Sequence, residues 1–104
     1  MTVKITTLSE NTANPVVLAE WGLSILVEGD GVQVLLDTSQ SVSVAYNAKI
    51  LGIDLSTVDK LVISHGHYDH TGGFKEVIEQ IGEIDVIAHP DMWTEKYAIY
   101  GDFQ

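Results

Sequence analysis

The feature that most constrains the fold of this sequence is a cluster of polar side chains between two apolar segments. His65, His67, Asp69 and His70 fall within six residues, in the pattern His-x-His-x-Asp-His. An apolar run precedes the cluster and a helical pattern follows it, which places the cluster on a strand-to-helix connection. Imidazole and carboxylate groups are ordinary ligands of first-row metal ions. The pattern therefore predicts a metal site on this connection.

The rest of the chain alternates between strand and helix patterns. Gly29-Asp30-Gly31 separates two apolar, β-branched segments by a tight turn, which predicts a hairpin. Phe74 to Ile81 spaces its apolar residues at helical intervals and ends at Gly82. The predicted strands cover residues 3–8, 21–28, 32–37, 60–64 and 84–88, and the predicted helices cover 41–51, 74–81 and 91–100. The order β-β-β-α-β-α-β-α predicts a single mixed α/β domain over residues 1–104.

Composition excludes several classes of function. The chain has 15 acidic residues against five lysines, a net charge of −10, which opposes binding to nucleic acids and anionic membranes. The absence of cysteine excludes disulfides, zinc–thiolate sites and cysteine nucleophiles. No apolar run approaches the roughly 20 residues that span a bilayer. Because the first residues show no secretory signal, we expect a cytoplasmic protein.

The spacing of the cluster suggests a role for each member. Beyond the end of a strand, residues 65, 67 and 69 can point to one side of the loop. His65 and His67 could then hold one divalent ion while Asp69 and His70 reach a second. Two such ions would share a hydroxide and polarise a substrate, and Asp69 could orient the water or take its proton, as a catalytic residue. The competing interpretation, surface histidines that cap a helix, explains four clustered ligands poorly.

Two further residues have both a structural and a functional interpretation. Asp37 ends a predicted strand, where it could cap the next helix or close a turn. It could instead accept a hydrogen bond from a ligand histidine and so orient it. His89 ends the last predicted strand, where it could be an ordinary loop histidine or could line the pocket.

Beyond the histidine motif, several segments resemble one branch of a known superfamily. The matching segments are Trp21–Glu28, Leu36–Ser41, Asn47-Ala48, Leu51–Leu55 and Ser64–Gly73. They resemble the dihydropterin-ribofuranosyl-aminobenzene-phosphate synthase-like hydrolases of the metallo-β-lactamase superfamily. The resemblance implies an αββα sandwich with a binuclear metal site at the sheet edges. It assigns His65 and His67 to the first metal and Asp69 and His70 to the second, with Asp37 as a support. Ser39 departs from the glycine usual at its position.

The resemblance also implies that this chain corresponds to the first of two βα halves, with helices on one face of its sheet. In the family, the second half supplies a third histidine to the first metal, a bridging acidic residue and a last histidine to the second metal. We therefore expect a metal-dependent hydrolase of small molecules with ester, phosphoester or related bonds, or the metal-binding half of one. The alternative is a non-catalytic metal-binding or interaction module. Zinc is the favoured ion, and manganese or iron are alternatives.

The strand patterns carry an expectation about association. Leu23–Val27 and Val34–Leu36 place apolar residues on both faces of the sheet. Helices of one half cover one face only, and soluble monomers rarely expose a large apolar patch. We therefore expect a homodimer, or association with a second half.

Overall fold

The computed structural model describes residues 2–12 and 16–90 as a mixed sheet with helices. Its strands are β1 (Val3–Ser9), β2 (Ser24–Gly29), β3 (Val32–Leu36), β4 (Lys60–Val62) and β5 (Asp85–Ile87). Its helices are α1 (Ser43–Ile50), α2 (Tyr68–Thr71) and α3 (Phe74–Ile81), with a 3-10 turn at Leu55–Thr57. The predicted α/β class is confirmed, and the predicted elements up to β5 occur in the predicted order, with α2 and the 3-10 turn in addition. The predicted helix at 91–100 lies outside the described residues.

The strands lie in the sheet in chain order, and their direction changes once. β1, β2 and β3 pair antiparallel, whereas β3, β4 and β5 pair parallel. The β2–β3 hairpin turns through Asp30 and Gly31, both with positive φ (51° and 76°), as a tight right-twisted hairpin requires. The parallel strands are joined by helical connections, so the carboxyl ends of β3, β4 and β5 share one edge of the sheet. The histidine motif leaves β4 at this edge.

One face of the sheet carries the hydrophobic core. Leu26, Leu35 and Leu61 lie on successive strands and are fully buried. The apolar sides of α1 and α3 pack over them, and the 3-10 turn contributes to the same layer. Burial of each such side chain contributes about 1.5–3 kcal/mol, which makes this layer the main source of stability. The remaining members of the core are Leu8, Val44, Ala48, Leu55, Val58, Ile63, Val77 and Ile81.

The opposite face of the sheet is also apolar but largely open among the described residues. Ile5, Val3 and Ile87 are 66%, 53% and 56% exposed. The strand register places them on the same face as a further apolar row: Ile25, Val27, Val32, Val34, Leu36 and Val62. A sheet face that meets water is normally lined with polar residues. This apolar face is called the open face below.

Element boundaries differ from the predictions where the backbone leaves the extended conformation. The predicted strand 21–28 begins only at Ser24, because Gly22 adopts a φ of +149°. The predicted strand 32–37 ends at Leu36, because Asp37 is left-handed with a φ of 59°. The strands predicted at 60–64 and 84–88 shorten to β4 and β5, and the helix predicted at 41–51 shortens to α1. Helix α2, inside the motif, was not predicted. No helix in the described part of the chain is long and apolar enough to cross a membrane.

Two glycines let the motif pack directly against the loop after β3. A Cβ atom on Gly72 would lie 1.9 Å from the carbonyl oxygen of Gln40, and one on Gly73 would lie 2.1 Å from that of Thr38. Backbone therefore meets backbone here, and the distance leaves no room for a side chain. The amide of Gly73 also donates to the carbonyl of Ser39, at 3.1 Å.

This close packing predicts the effect of adding one methyl group. Gly73 has a φ of −86°, which alanine adopts without strain, so Gly73→Ala tests sterics alone. We expect the free energy of unfolding to fall by about 1–3 kcal/mol, as for overpacked interiors. Gly29→Ala is the matched control, because a Cβ there lies at an ordinary 3.4 Å from Val3. Equal denaturation midpoints for the two variants would contradict the packing described.

Candidate metal centre

The candidate site lies where β3 and β4 end side by side. Leu36 of β3 pairs with Val62 of β4, so the residues that follow each strand emerge at the same edge. Asp37 follows β3, and the amide of Asp37 donates to the carbonyl of Val62 at 2.8 Å. The motif follows β4 after Ile63. Parallel pairing therefore brings Asp37 next to the histidines across a long separation in sequence.

The carboxylate of Asp37 is the centre of the hydrogen bonding. Asp37 is buried, with 1% of its surface exposed. Its Oδ1 accepts from the amide of Ser64 at 2.7 Å, and its Oδ2 accepts from the Ser64 hydroxyl at 2.6 Å. The same Oδ2 lies 2.7 Å from Nδ1 of His70. A buried carboxylate is costly unless donors satisfy it, and these three contacts supply the donors.

These contacts determine which ring nitrogens carry protons. Both oxygens of Asp37 accept from Ser64, so Nδ1 of His70 is placed to donate to Oδ2, and Nε2 is the ring atom that faces away from Asp37. The single proton of the Ser64 hydroxyl points to Asp37. The contact of 2.8 Å between the Ser64 oxygen and Nδ1 of His65 therefore has His65 as the donor. Both histidines thus present Nε2 as the free ligand atom.

Three of the predicted ligands converge on one point. His65, Asp69 and His70 offer ligand atoms that all lie within 4.8 Å of one another. Nε2 of His70 is 3.6 Å from Oδ2 of Asp69, and the rings of His65 and His70 have centroids 4.1 Å apart. Two imidazole nitrogens and one carboxylate oxygen form a donor set that suits zinc, and three protein ligands leave a position for water. The residues therefore fit a divalent ion.

The other predicted site residues lie outside this group of three. The ring of His67 is exposed, 4.7 Å from that of His65 between centroids and nearly perpendicular to it. His67 also precedes α2 as its N-terminal cap residue, and its carbonyl accepts from the amides of His70 and Thr71. His89 follows β5 and is exposed. The assignment of His67 to a metal, the division of ligands between two ions and the role of His89 stay predictions.

Backbone contacts fix α2 and with it Asp69 and His70. The amide and hydroxyl of Thr38 both donate to the carbonyl of His70, at 2.7 and 3.0 Å. The amide of Leu23 donates to the carbonyl of Asp69 at 3.3 Å, and a Cβ on Gly22 would lie 2.2 Å from that oxygen. Thr38 and Ser64 were not identified from the sequence. The sequence signal that could have identified them is that each is adjacent to a predicted site residue, since hydroxyl groups commonly donate to buried carboxylates and carbonyls.

Comparison with known proteins agrees with this fold and site. The sequence profile of the metallo-beta-lactamase superfamily matches residues 22–95. The chain therefore belongs to the metallo-beta-lactamase superfamily, as the motif predicted.

Two relatives in sequence identify the branch of the superfamily. A protein of Methanocaldococcus jannaschii named 7,8-dihydropterin-6-methyl-4-(beta-D-ribofuranosyl)-aminobenzene-5'-phosphate synthase is 35% identical over 97% of this chain. The match covers 37% of that protein, so the chain spans about a third of the length of this relative. A second, uncharacterised protein of the same archaeon is 39% identical over 88% of the chain and is covered to 36%. The predicted branch of the superfamily is thereby confirmed.

Solved structures show the same fold. Tm1679, a metal-dependent hydrolase of the beta-lactamase superfamily, superposes with a TM-score of 0.60 at 42% identity, over 69% of this chain and 26% of that one. The Rm3 metallo-beta-lactamase superposes with a TM-score of 0.57 at 32% identity, over 67% of this chain and 27% of that one.

The hydrogen bond from His70 predicts how Asp37 affects metal binding. We expect Asp37→Asn to keep the fold and to weaken zinc binding by about 10–100-fold, because an amide no longer fixes the tautomer of His70. Asp54→Asn is a matched control, since Asp54 caps the 3-10 turn by accepting from the amide of Ser56 at 2.9 Å. Zinc titrations and thermal melts with and without chelator measure both effects. If Asp37→Asn behaves like Asp54→Asn, with lower stability and unchanged zinc affinity, Asp37 has a structural role only.

Proposed function

We propose that this chain is the metal-binding part of a metal-dependent hydrolase. The observation that carries the proposal is the group His65, Asp69 and His70, whose two imidazoles are held with Nε2 free by Asp37 and Ser64. Membership of the superfamily and the likeness to a metal-dependent hydrolase at 42% identity support it. Zinc suits the donor set best, with manganese or iron as alternatives. Two ions in a complete site, and His67 as a ligand of one, belong to the proposal.

The residues of this chain would bind the metal and control one proton. His65 and His70, oriented through Ser64 and Asp37, would hold a divalent ion by Nε2. Such an ion would supply a water with a pKa near about 7 and polarise an ester or phosphoester bond. The carboxylate of Asp69 is half-buried beside Nε2 of His70, where it can orient the attacking water or accept its proton.

The substrate proposed is a small molecule with an ester, phosphoester or related bond. The synthase among the relatives is named for a phosphate-bearing product, which supports a phosphorylated substrate. The chain has no arginine to clamp a phosphate in two places, so the metal site would have to attract it. Nucleic acid and membrane surfaces are not proposed as partners, because the net charge of −10 repels them.

A non-catalytic metal-binding or interaction module is the second candidate. It is favoured by the short span of the chain, about a third of its curated relatives, which leaves activity of this chain alone open. It is also favoured by the exposure of His65 and His67. The two candidates differ in hydrolysis and agree in metal binding.

Metal content and hydrolysis, measured on the same samples, separate these candidates. We expect purified protein to bind zinc, a His65/His67/Asp69/His70 quadruple alanine variant to bind none, and His67→Ala to bind less. Glu79→Ala, which removes an exposed carboxylate of α3 outside the motif, is the control. Hydrolysis of bis(4-nitrophenyl) phosphate or 4-nitrophenyl acetate that disappears in the quadruple variant would identify the hydrolase. Zinc binding without hydrolysis would show that this chain alone acts as a metal-binding module, and equal metal content in parent and quadruple variant would contradict both candidates.

We also propose that two copies of the chain associate through the open face. Among the described residues, this face carries one charged pair, Lys60 and Asp85, whose side chains meet at 2.6 Å and neutralise each other. The net charge of −10 therefore resides elsewhere on the chain, and the apolar row can meet its own copy without charge repulsion at the contact. A two-fold axis would pair identical faces. A polypeptide that resembles the second half of the fold is the competing occupant.

Light scattering at several protein concentrations tests the association. We expect the measured mass to rise from that of one chain to that of two as the protein concentration increases. Added salt should lower the concentration at which this happens, because it screens the repulsion between acidic chains. Ile5→Asp should abolish the dimer, since Ile5 lies on the open face. Ile50→Asp is the control, because Ile50 is similarly apolar and exposed on α1, away from that face. A monomer at all concentrations, or equal effects of the two variants, would contradict the proposal.

A further inference from the structure

A carboxylate outside the motif holds the loop that faces it. Oε1 of Glu20 accepts hydrogen bonds from the backbone amides of Gln40 and Ser41, at 3.0 and 2.8 Å. The same oxygen accepts from the hydroxyl of Ser43 at 2.7 Å, and Oε2 accepts from the hydroxyl of Ser41 at 2.6 Å. One side chain from the segment before β2 thus accepts from several donors at the start of α1 and in the loop before it.

Buried hydroxyl groups continue this contact into the interior. The Ser9 hydroxyl donates to that of Ser39 at 2.9 Å and lies 2.6 Å from that of Ser43. All three residues are buried. The pairing of β1 with β2 shifts between Thr7 and Ser9, and this irregularity lets Leu8 and Ser9 both face inward. The loop is therefore held by the buried hydroxyl of Ser9 as well as by Glu20.

The loop between Glu20 and the motif has little freedom of its own. Ser39 has a φ of 57°, a left-handed conformation that only surrounding contacts maintain in a residue other than glycine. Its amide donates to the carbonyl of Leu23 at 3.0 Å, and its carbonyl accepts from Gly73. The two residues before Ser39, Asp37 and Thr38, both contact His70. The backbone bonds of Glu20, at Gln40 and Ser41, are thus two to four residues away from those that fix His70.

We propose that Glu20 is a positioning residue of the metal centre, which acts through the loop 37–41 to hold Asp37 and Thr38 against His70. This inference rests on the proposed metal-binding role of the motif. Glu20 itself touches none of His65, Asp69 and His70 in the contacts described. Its effect on them would pass through the backbone of the loop.

The chemistry of the contact explains why a carboxylate is present. Hydrogen bonds to an ionised acceptor are about twice as strong as neutral ones, and a carboxylate can accept from two amides and two hydroxyls at once. Burial raises the pKa of Glu20, but the hydrogen bonds from Ser41 and Ser43 outweigh it and leave the pKa below its ordinary value. Glu20 is therefore ionised at neutral pH. An amide at this position would keep one acceptor oxygen and lose the charge.

Glu20→Ala and Glu20→Gln test the inference against a control that is destabilised elsewhere. Val58→Ala removes a buried side chain beside the 3-10 turn, away from the loop, and provides a destabilised protein with an intact Glu20. Two readouts are needed: the affinity for Zn²⁺ by competition with a chromophoric chelator, and the tautomer of the His70 ring in metal-free protein by ¹⁵N NMR. A role in stability alone moves neither readout relative to Val58→Ala.

We expect Glu20→Ala to weaken Zn²⁺ binding by about tenfold, the lower end for residues that orient ligands. The His70 ring should also lose its uniform Nδ1–H form. Glu20→Gln should fall between parent and Glu20→Ala and should fold if the alanine variant does not. Unchanged zinc affinity and an unchanged His70 tautomer in both variants would overturn the inference.

The two readouts also separate this inference from the proposed function. If the parent protein binds no Zn²⁺, the metal proposal fails, and the tautomer of His70 in the variants still decides whether Glu20 positions it. If the parent binds Zn²⁺ and the variants match it in both readouts, the metal proposal stands and the role of Glu20 is wrong.

Discussion

The candidate site depends on one buried carboxylate. Asp37 accepts from the amide and hydroxyl of Ser64 and from Nδ1 of His70, and through Ser64 it also determines the tautomer of His65. A carboxylate that is 1% exposed needs all of these donors, because each unsatisfied oxygen in an interior is costly. The same contacts thus supply donors to Asp37 and leave Nε2 of both histidines available to a metal.

The geometry of the sheet makes this arrangement possible. Only parallel pairing of β3 and β4 brings the residues after both strands to one edge, where Asp37 and Ser64 meet. The close packing of Gly72 and Gly73 against the loop then fixes α2, and with it Asp69 and His70, from the opposite side. Helix α2 has four residues, too few to be stable alone, so its position is determined by the contacts with Leu23 and Thr38.

Sequence patterns predicted the parts of this structure that depend on periodicity and local turns. The hairpin at Asp30-Gly31 and the α3 helix follow from left-handed turn residues and from apolar spacing, and both are present. The short α2 helix was missed because its residues, Tyr68 to Thr71, have no apolar periodicity and form a helix only against the loop. The sequence suggested that Asp37 either caps a helix or accepts from one of the motif histidines, without indicating which. The contacts of Ser64, Thr38 and Glu20 required coordinates, because the sequence does not indicate which distant group a hydroxyl or carboxylate contacts.

The two faces of the sheet have different roles in holding the site. The core under α1 and α3 is closed by fully buried leucines on β2, β3 and β4, and it holds the strand ends in register. Alternate side chains of the same strands point away from the core, onto the open face. The contacts that align Asp37 with His70 lie at the edge of the sheet, where the amide of Asp37 donates to the carbonyl of Val62 and Thr38 donates to the carbonyl of His70. None of these contacts involves a side chain of the open face, so the alignment is made within the described part of the chain.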